Sequence, residues 1–295
     1  MLQPPFLKKG DTIGLVAPAR KIAPEEIAFA VDTFKQWGLQ VKESKHLFGA
    51  CNQFSGTDEK RAADMQEMLD DASVSAIISV RGGYGCMRII DRLDFSRFVH
   101  HPKWIIGYSD VTVFHSHLHN LGVQTLHATM PFNFAQDVES VTQLRRALFG
   151  EAIHYSWPAN ALNRPGTANG QFIGGNLSLL YALCGSQSDI DTRGKILFLE
   201  DLDEYLYHID RMLLNLRRSG KLQHLSALII GGMTSMKDNT IPFGKTAEEI
   251  ILDAVKDYDY PVCFDFPAGH VVRNLPLILG KDVKVEVSSA CLLRF

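Results

Sequence analysis

Short, continuously apolar runs alternate with helical patterns along the first half of the chain. Three such runs end at Gly, Pro or Ser: "TIGLVAPA", "SAIISV" and "KWIIGYS". Runs of this kind are typical of strands buried on both faces of a parallel sheet. Between them, residues 25–37 and 57–69 repeat apolar side chains at the spacing of an amphipathic helix. The alternation predicts an α/β domain with a doubly wound, mostly parallel sheet over about residues 1–150.

The second half of the chain begins with an irregular stretch. Residues 151–168 are rich in Pro, Gly and Asn and lack a clear period, so we expect a linker there. Over residues 169–295, helical patterns separate the runs "KILFLE", "ALIIGG" and "PVCFDF". The last residues alternate around a turn signal at residues 280–282, which predicts antiparallel strands. We therefore expect a C-terminal mixed α/β domain, with the active site between the two domains.

Charge and composition exclude several classes of function. The 295 residues carry a formal net charge of −3, with both signs mixed along the chain, which gives no basic stripe for nucleic acid. The five cysteines are far apart and form no C-x-x-C pair, so reduced thiols in a cytosol fit better than a disulfide framework or a zinc site. The N-terminal apolar run is too short for a signal peptide or a membrane span. We expect a cytoplasmic protein without a membrane partner.

A glycine-rich loop, "RGGYG" (Arg81–Gly85), follows the second apolar run. Its glycines allow the backbone to approach a ligand closely and to turn its N–H groups outward. A tight strand-to-helix turn accounts for the same composition. The loop matches neither the Walker nor the dinucleotide pattern, so no nucleotide cofactor is predicted.

Ser109 lies where the third apolar run is predicted to turn into a helix. A serine at such a turn is exposed at the top of the sheet, and the backbone N–H of Asp110 points toward any oxyanion formed there. The alternative is that Ser109 or Asp110 only caps the helix, as most serines in this position do. Val111 also replaces the second glycine of the G-x-S-x-G pattern. The local pattern leaves both interpretations open.

A nucleophilic serine needs a base and an acid that orients the base. Glu200 and Asp201 end the run "KILFLED", and His270 ends "PVCFDFPAGH", so both groups are predicted at the ends of buried strands. Each could equally be an ordinary loop residue. Glu204 is a possible substitute for Glu200 as the orienting acid.

The histidines of "HSHLHN" suggest a metal site, because His115 and His119 lie one helical turn apart. The stretch has no H-E-x-x-H glutamate, and no third ligand is evident. A polar helix face is the favoured interpretation, and no metal is predicted.

Taken together, these motifs resemble the serine LD-carboxypeptidases, the S66 peptidases that include the microcin immunity hydrolases. The stretches "RGGYG", "IIGYSD", "GGNLSLL", "LFLEDLDEYLYHIDRML" and "FPAGH" occur in the order and spacing of that family, and the likeness covers nearly the whole chain. It implies that Ser109 is the nucleophile, His270 the general base and Glu200 the residue that orients it. The serine would lie in one domain and its partners in the other.

The same resemblance implies the remaining parts of a mechanism. Backbone N–H groups of Gly83 and Asp110 would form the oxyanion hole of an acyl transfer that needs no cofactor. The typical substrate of the family is the murein tetrapeptide, which loses its terminal D-alanine during cytoplasmic cell-wall recycling, and its members are homodimers. Arg81 is a candidate to bind the terminal carboxylate of such a peptide, because guanidinium groups suit carboxylates. A structural ion pair is the alternative role for Arg81.

Two other functions are compatible with the sequence. An immunity-type hydrolase would cleave a peptidyl-adenylate conjugate with the same triad, and aromatic residues able to stack on adenine would favour it. Trp157 is the only tryptophan beyond the first domain, which weakens that hypothesis. A ligand-binding module would keep the cleft without catalysis, but the joint presence of Ser109, Glu200 and His270 argues against it.

Overall fold

The first sheet has six strands, five of them parallel. The computed structural model describes residues 1–295, and the parallel strands run in the spatial order β2-β1-β3-β4-β5. The sixth strand, β11, is antiparallel to β5 at the edge. The strands are β1 (Thr12–Val16), β2 (Gln40–Glu43), β3 (Val74–Ser79), β4 (Trp104–Gly107), β5 (Thr125–His127) and β11 (Leu277–Leu279).

Helices cover both faces of this sheet. Ile78 of β3 packs in the same core as α1 and α4, whereas its neighbour Ile77 packs with α2 and α3. Burial on both faces explains the continuous apolar runs of the sequence and confirms the predicted doubly wound domain. The helices are α1 (Pro24–Gln36), α2 (Asp58–Asp70), α3 (Thr112–Asn120) and α4 (Val138–Leu148).

The second sheet is mixed, as predicted. Its order is β10-β9-β8-β7-β12-β13-β6, with the first four strands parallel and the rest antiparallel. The strands are β6 (His154–Pro158), β7 (Gly166–Asn176), β8 (Ile196–Leu202), β9 (Ala227–Thr234), β10 (Val262–Cys263), β12 (Asp282–Val287) and β13 (Ala290–Arg294). The helices are α5 (Leu177–Leu183), α6 (Leu206–Arg218) and α7 (Ala247–Ala254).

The helices of the second half cover one face of this sheet. α5, α6 and α7 pack on Leu197 and Leu199 of β8. Phe198 points to the other face and joins a core that continues into the first sheet. No helix combines the length and the apolar composition that a membrane crossing requires.

Two details of the second half differ from the expectation. The stretch expected as a linker contains β6, in which buried Tyr155 and Trp157 alternate with exposed residues, a pattern of five residues inside a Pro- and Asn-rich region. The strands flanking residues 280–282 are antiparallel to their neighbours, as predicted, but they do not pair with each other: β11 joins β5, and β12 pairs with β7 and β13. All three residues of β11 are buried, whereas β12 alternates, so the two strands suit different sheets. The predicted division of the chain at residues 150 and 168 stays a prediction.

The two sheets meet where α3 begins and β7 ends. The backbone N–H of Asn176 donates to Thr112 Oγ1 at 3.0 Å, and Thr112 is fully buried. Gly175 has a φ of +142°, and a Cβ there would lie 2.6 Å from Thr112 Oγ1. Only glycine allows this approach.

We expect Gly175→Ala to lower the free energy of unfolding by about 2–4 kcal/mol, because it adds a steric clash to an unfavourable backbone conformation. Gly185→Ala is the matched control, since Gly185 also has a positive φ (+81°) but has no atom within 4 Å of the added Cβ. It should lose only about 1–2 kcal/mol. Urea denaturation measures both, and equal losses would show that the approach to Thr112 is unimportant.

Candidate active site

Ser109 occupies a strained turn between β4 and α3. Its φ of +64° lies in the left-handed region, which is uncommon for residues other than glycine and is frequent at functional sites. The side chain packs against the glycine loop, since a Cβ on Gly82 would lie 2.9 Å from Ser109 Cβ and 3.1 Å from its Oγ. Gly82 therefore has to be glycine for Ser109 to sit there.

Neither Ser109 nor Asp110 caps the helix. No side chain provides the N-cap hydrogen bond of α3 or of the short 3₁₀ turn before it. The buried Asp110 carboxylate instead accepts a hydrogen bond from Cys86 N at 2.7 Å, and burial raises the pKa of Asp110. Asp110 thus ties the serine turn to the end of the glycine loop.

The turn keeps the first glycine of a G-x-S-x-G elbow and has Val111 in place of the second. Gly107, two residues before Ser109, has a φ of +152°, and a Cβ on it would lie 2.8 Å from Val111 Cγ2. The Val111 side chain therefore packs against Gly107 and leaves no room for a side chain there.

His270 lies against Ser109 across the boundary between the sheets. Its Nε2 is 3.1 Å from Ser109 Oγ, within the hydrogen-bond range of an activated nucleophile. Its Nδ1 is 2.7 Å from Glu200 Oε2. With Nδ1 donating to the carboxylate, Nε2 of the neutral ring is left to accept from the serine hydroxyl.

Glu200 is fully buried beneath the His270 ring. It lies at a register irregularity between β8 and β9, as expected of bulges that redirect a side chain next to a site. Its Oε2 also accepts from the backbone N of His270 at 3.0 Å. Gly269 has a φ of +99°, and a Cβ there would lie 2.6 Å from Glu200 Cγ, so this glycine makes room for the carboxylate.

The pKa of His270 reflects two opposing effects. Burial lowers the pKa, but the charge of Glu200 and its hydrogen bond raise it, and the result lies above the usual 6.5. The carboxylate therefore stabilises the imidazolium form.

The other carboxylates at this edge have different partners. Glu204 lies 2.5 Å from His208 Nδ1 and accepts from Ser178 Oγ at 3.2 Å, so Glu200 is the acid that contacts His270. Asp201 accepts from Ser178 N at 2.9 Å at the start of α5. Burial, together with the charge of Glu200, raises the pKa of Asp201 to about 6.

Arg81 forms an ion pair within the protein, which is the alternative role that the sequence left open for it. Its Nη1 lies 3.6 Å from Glu26 Oε1, and its guanidinium stacks 4.3 Å from the centre of the Phe132 ring. Arg81 also borders the cleft.

His115 and His119 do not form an exposed polar face. His115 is buried and lies 2.8 Å from both Gly107 O and Thr125 Oγ1, and burial lowers its pKa to about 4. His119 Nε2 lies 2.7 Å from Lys195 Nζ. The expectation of a polar face was wrong because α3 is enclosed by the first sheet on one side and residues of the second half on the other.

Ser109 and His270 open onto a cleft of about 490 Å³ between the two halves of the molecule. Arg81, Gly83, Asp201 and Glu204 also line it. Sequence reasoning missed several lining residues, although their places after strands at the carboxyl edge of a parallel sheet are the usual position of ligands. The missed residues include Arg20, Tyr108, Asn133, Ser178 and Asp203.

A serine, a histidine and a carboxylate in one hydrogen-bonded row are the arrangement of triad hydrolases. Models of the N-terminal and C-terminal domains of the LD-carboxypeptidases match residues 13–128 and 169–285. The chain belongs to the LD-carboxypeptidase family, S66, and is a peptidase. The resemblance read from its motifs is confirmed.

Relatives match over almost their whole length. A probable murein peptide carboxypeptidase of Bacillus subtilis is 36% identical over 97% of this chain and 92% of its own. The murein tetrapeptide carboxypeptidase of Pseudomonas aeruginosa is 26% identical over 93% of this chain and 92% of its own.

Solved structures share the fold. The muramoyltetrapeptide carboxypeptidase of Oxalobacter formigenes has a TM-score of 0.87 and 24% identity, covering 96% of this chain and 97% of its own. The microcin C7 self-immunity protein MccF, in complex with aspartyl sulfamoyl adenosine, has a TM-score of 0.90 and 20% identity, covering 100% and 98%. The two-domain α/β architecture is therefore confirmed.

We expect Glu200→Gln to lower the pKa of His270, because the substitution removes the negative charge that stabilises the imidazolium. Titration of the His270 ring by NMR measures the change. His115 serves as an internal control, since its pKa is set by burial and should not move. An unchanged His270 pKa would contradict the assignment of Glu200 as its electrostatic partner.

Proposed function

We propose that the protein is a serine carboxypeptidase that hydrolyses the L,D-amide bond before the terminal D-alanine of murein tetrapeptides. The observation that carries the proposal is the row of hydrogen bonds from Glu200 through His270 to Ser109, open to a cleft. The names of the Bacillus subtilis and Pseudomonas aeruginosa relatives support the substrate class.

In this mechanism His270 Nε2 takes the proton of Ser109 Oγ as the oxygen attacks the amide carbon. The histidine then gives that proton to the leaving nitrogen of D-alanine, which leaves the rest of the peptide as an ester on Ser109. Water, deprotonated by His270, attacks the ester, and His270 returns the proton to Ser109 Oγ as the shortened peptide is released. Glu200 holds the ring in the tautomer that both proton transfers require.

The tetrahedral oxyanion would be bound by the backbone N–H groups of Gly83 and Asp110. Support comes from packing, since Gly82 touches Ser109 and the Asp110 side chain is bonded to the end of the same loop. The φ of +117° at Gly83 favours glycine at this position. Loss of one such donor typically costs about 10²–10³ in turnover.

The biological setting follows the family resemblance. We further propose that the enzyme is cytoplasmic and acts in peptidoglycan recycling. We also propose that it forms a homodimer.

The immunity-type reaction, hydrolysis of a peptidyl-adenylate conjugate, is supported less well. Trp157 is buried and donates from Nε1 to Phe264 O at 2.8 Å, so it is not free to stack on an adenine. The likeness to MccF concerns the fold.

We expect Ser109→Ala to reduce the release of D-alanine from an L,D-linked tetrapeptide by at least about 10³-fold. Ser73→Ala is the matched control, because Ser73 is an exposed serine just before β3, at the end of the strand opposite to the glycine loop. Released D-alanine is measured by chromatography. Equal release by Ser109→Ala and the unsubstituted protein would remove Ser109 from the mechanism, and turnover of an acyl-adenylate alone would favour the immunity-type reaction.

The pH dependence of kcat/KM should report the His270 base. Only the neutral ring accepts the serine proton, so activity should fall as the pH decreases through the raised pKa of His270, with a midpoint above 6.5. In Glu200→Gln the midpoint should move to lower pH and the maximum rate should fall. A profile between pH 5 and 9 checks this, and a midpoint well below 6.5 in the unsubstituted enzyme would be inconsistent with His270 as the base.

A further inference from the structure

Arg20 places a cation in the cleft that no carboxylate neutralises. It follows β1 at the carboxyl edge of the first sheet, is exposed, and lines the same cleft as Ser109 and His270. It takes part in none of the ion pairs of the structure, whereas Arg81, the first residue of the glycine loop, pairs with Glu26.

The acidic residues of the cleft already have partners. Asp203 lies 2.7 Å from Lys237 Nζ, Glu204 lies beside His208, and Asp201 accepts several hydrogen bonds around the start of α5. Among the charged side chains that line the cleft, Arg20 is therefore the one to which no side chain is bonded, and an anionic group of the ligand would complement it.

Arg20 is also held close to the reacting atoms. A Cβ on Gly83 would collide with Cγ and Cδ of Arg20, so the arginine side chain lies directly on the glycine loop. The backbone N of Arg20 donates to Gly82 O at 3.4 Å, and Gly82 in turn packs on Ser109. The loop that would bind the oxyanion is thus also in contact with the Arg20 side chain.

This placement matches the geometry of a C-terminal residue. The free carboxylate of such a residue lies only one residue beyond the scissile carbonyl, and one residue spans about 3.8 Å. A cation that recognises it has to lie beside the oxyanion site. An arginine suits this task because its planar group binds a carboxylate with two parallel hydrogen bonds, which the lysine ammonium does not do.

We propose that Arg20 binds the free α-carboxylate of the residue to be released and thereby restricts hydrolysis to the last residue of a peptide. The inference rests on the proposed carboxypeptidase function and assigns its exopeptidase specificity to a particular side chain. Arg81, which contacts Glu26 and Phe132, would then have a structural role and anchor the start of the glycine loop.

The test compares a tetrapeptide ending in free D-alanine with the same peptide ending in D-alanine amide. In the unsubstituted enzyme kcat/KM should be at least 10-fold higher for the free acid. Arg20→Gln should lower kcat/KM for the free acid by about 10–100-fold, mainly through KM, and leave the amide unchanged. Arg20→Lys should recover part of the loss. Arg211→Gln is the matched control, because Arg211 is an exposed arginine of α6 that stacks on Tyr207 and does not line the cleft; it should change nothing.

Calorimetry measures the binding of the same two peptides without turnover when Ser109→Ala is the parent protein. Tighter binding of the free acid that disappears in Ser109→Ala/Arg20→Gln would support the inference. A preference that survives Arg20→Gln, or that is lost in Arg81→Gln instead, would overturn it even if the enzyme cleaves the tetrapeptide. Absence of both cleavage and binding of the tetrapeptide would overturn the proposed function and this inference with it. Thermal unfolding of each variant checks that the fold is retained.

Discussion

The two halves of the molecule meet directly at the proposed triad, where the backbone N–H of Asn176 donates to Thr112 Oγ1. Thr112 is three residues beyond Ser109 in the same turn, and Asn176 is the register partner of Glu200 in the β7–β8 pair. The bond therefore joins the backbone that carries the serine to the backbone that carries the acid. Gly175 permits this approach, because a Cβ there would lie 2.6 Å from Thr112 Oγ1, and His270 bridges the serine and the acid beside it.

The site as a whole is made by close backbone approach, and its polar groups are only partly satisfied. Gly82 and Gly269 each bring the main chain against a triad residue. Around them Glu200 Oε1, Asp110 Oδ1 and both ring nitrogens of His127 are buried without a hydrogen-bond partner in the protein. Most buried polar groups in proteins are paired, and exceptions concentrate at functional sites. Glu200 and Asp110 each keep one carboxylate oxygen without a protein partner, although the other oxygen is bonded to His270 or Cys86.

Much of the fold could be predicted from sequence, because strands buried on both faces leave runs such as "SAIISV" that few other structures produce. The candidate triad was accessible for a different reason, namely the order of linked motifs around Ser109, Glu200 and His270. β6 was missed because two buried aromatic residues in five positions are a weak pattern. The antiparallel strands around residues 280–282 were predicted, but their partners were not, because a turn signal does not tell which sheet receives each strand. Arg20 had no linear signal, since whether an arginine finds a carboxylate depends on the tertiary structure.

Because β11 belongs to the first sheet, that sheet is completed only after most of the second sheet has been synthesised. β11 pairs with β5 across a separation of about 150 residues, and such non-local pairings form late and slowly. During synthesis the half that carries Ser109 leaves the ribosome with the edge of β5 uncovered and without an imidazole beside the serine. Residues 270–279 supply both His270 and β11, the last strand of the first sheet. The catalytic row can therefore form only after the chain beyond residue 270 has been made and has returned to the first sheet.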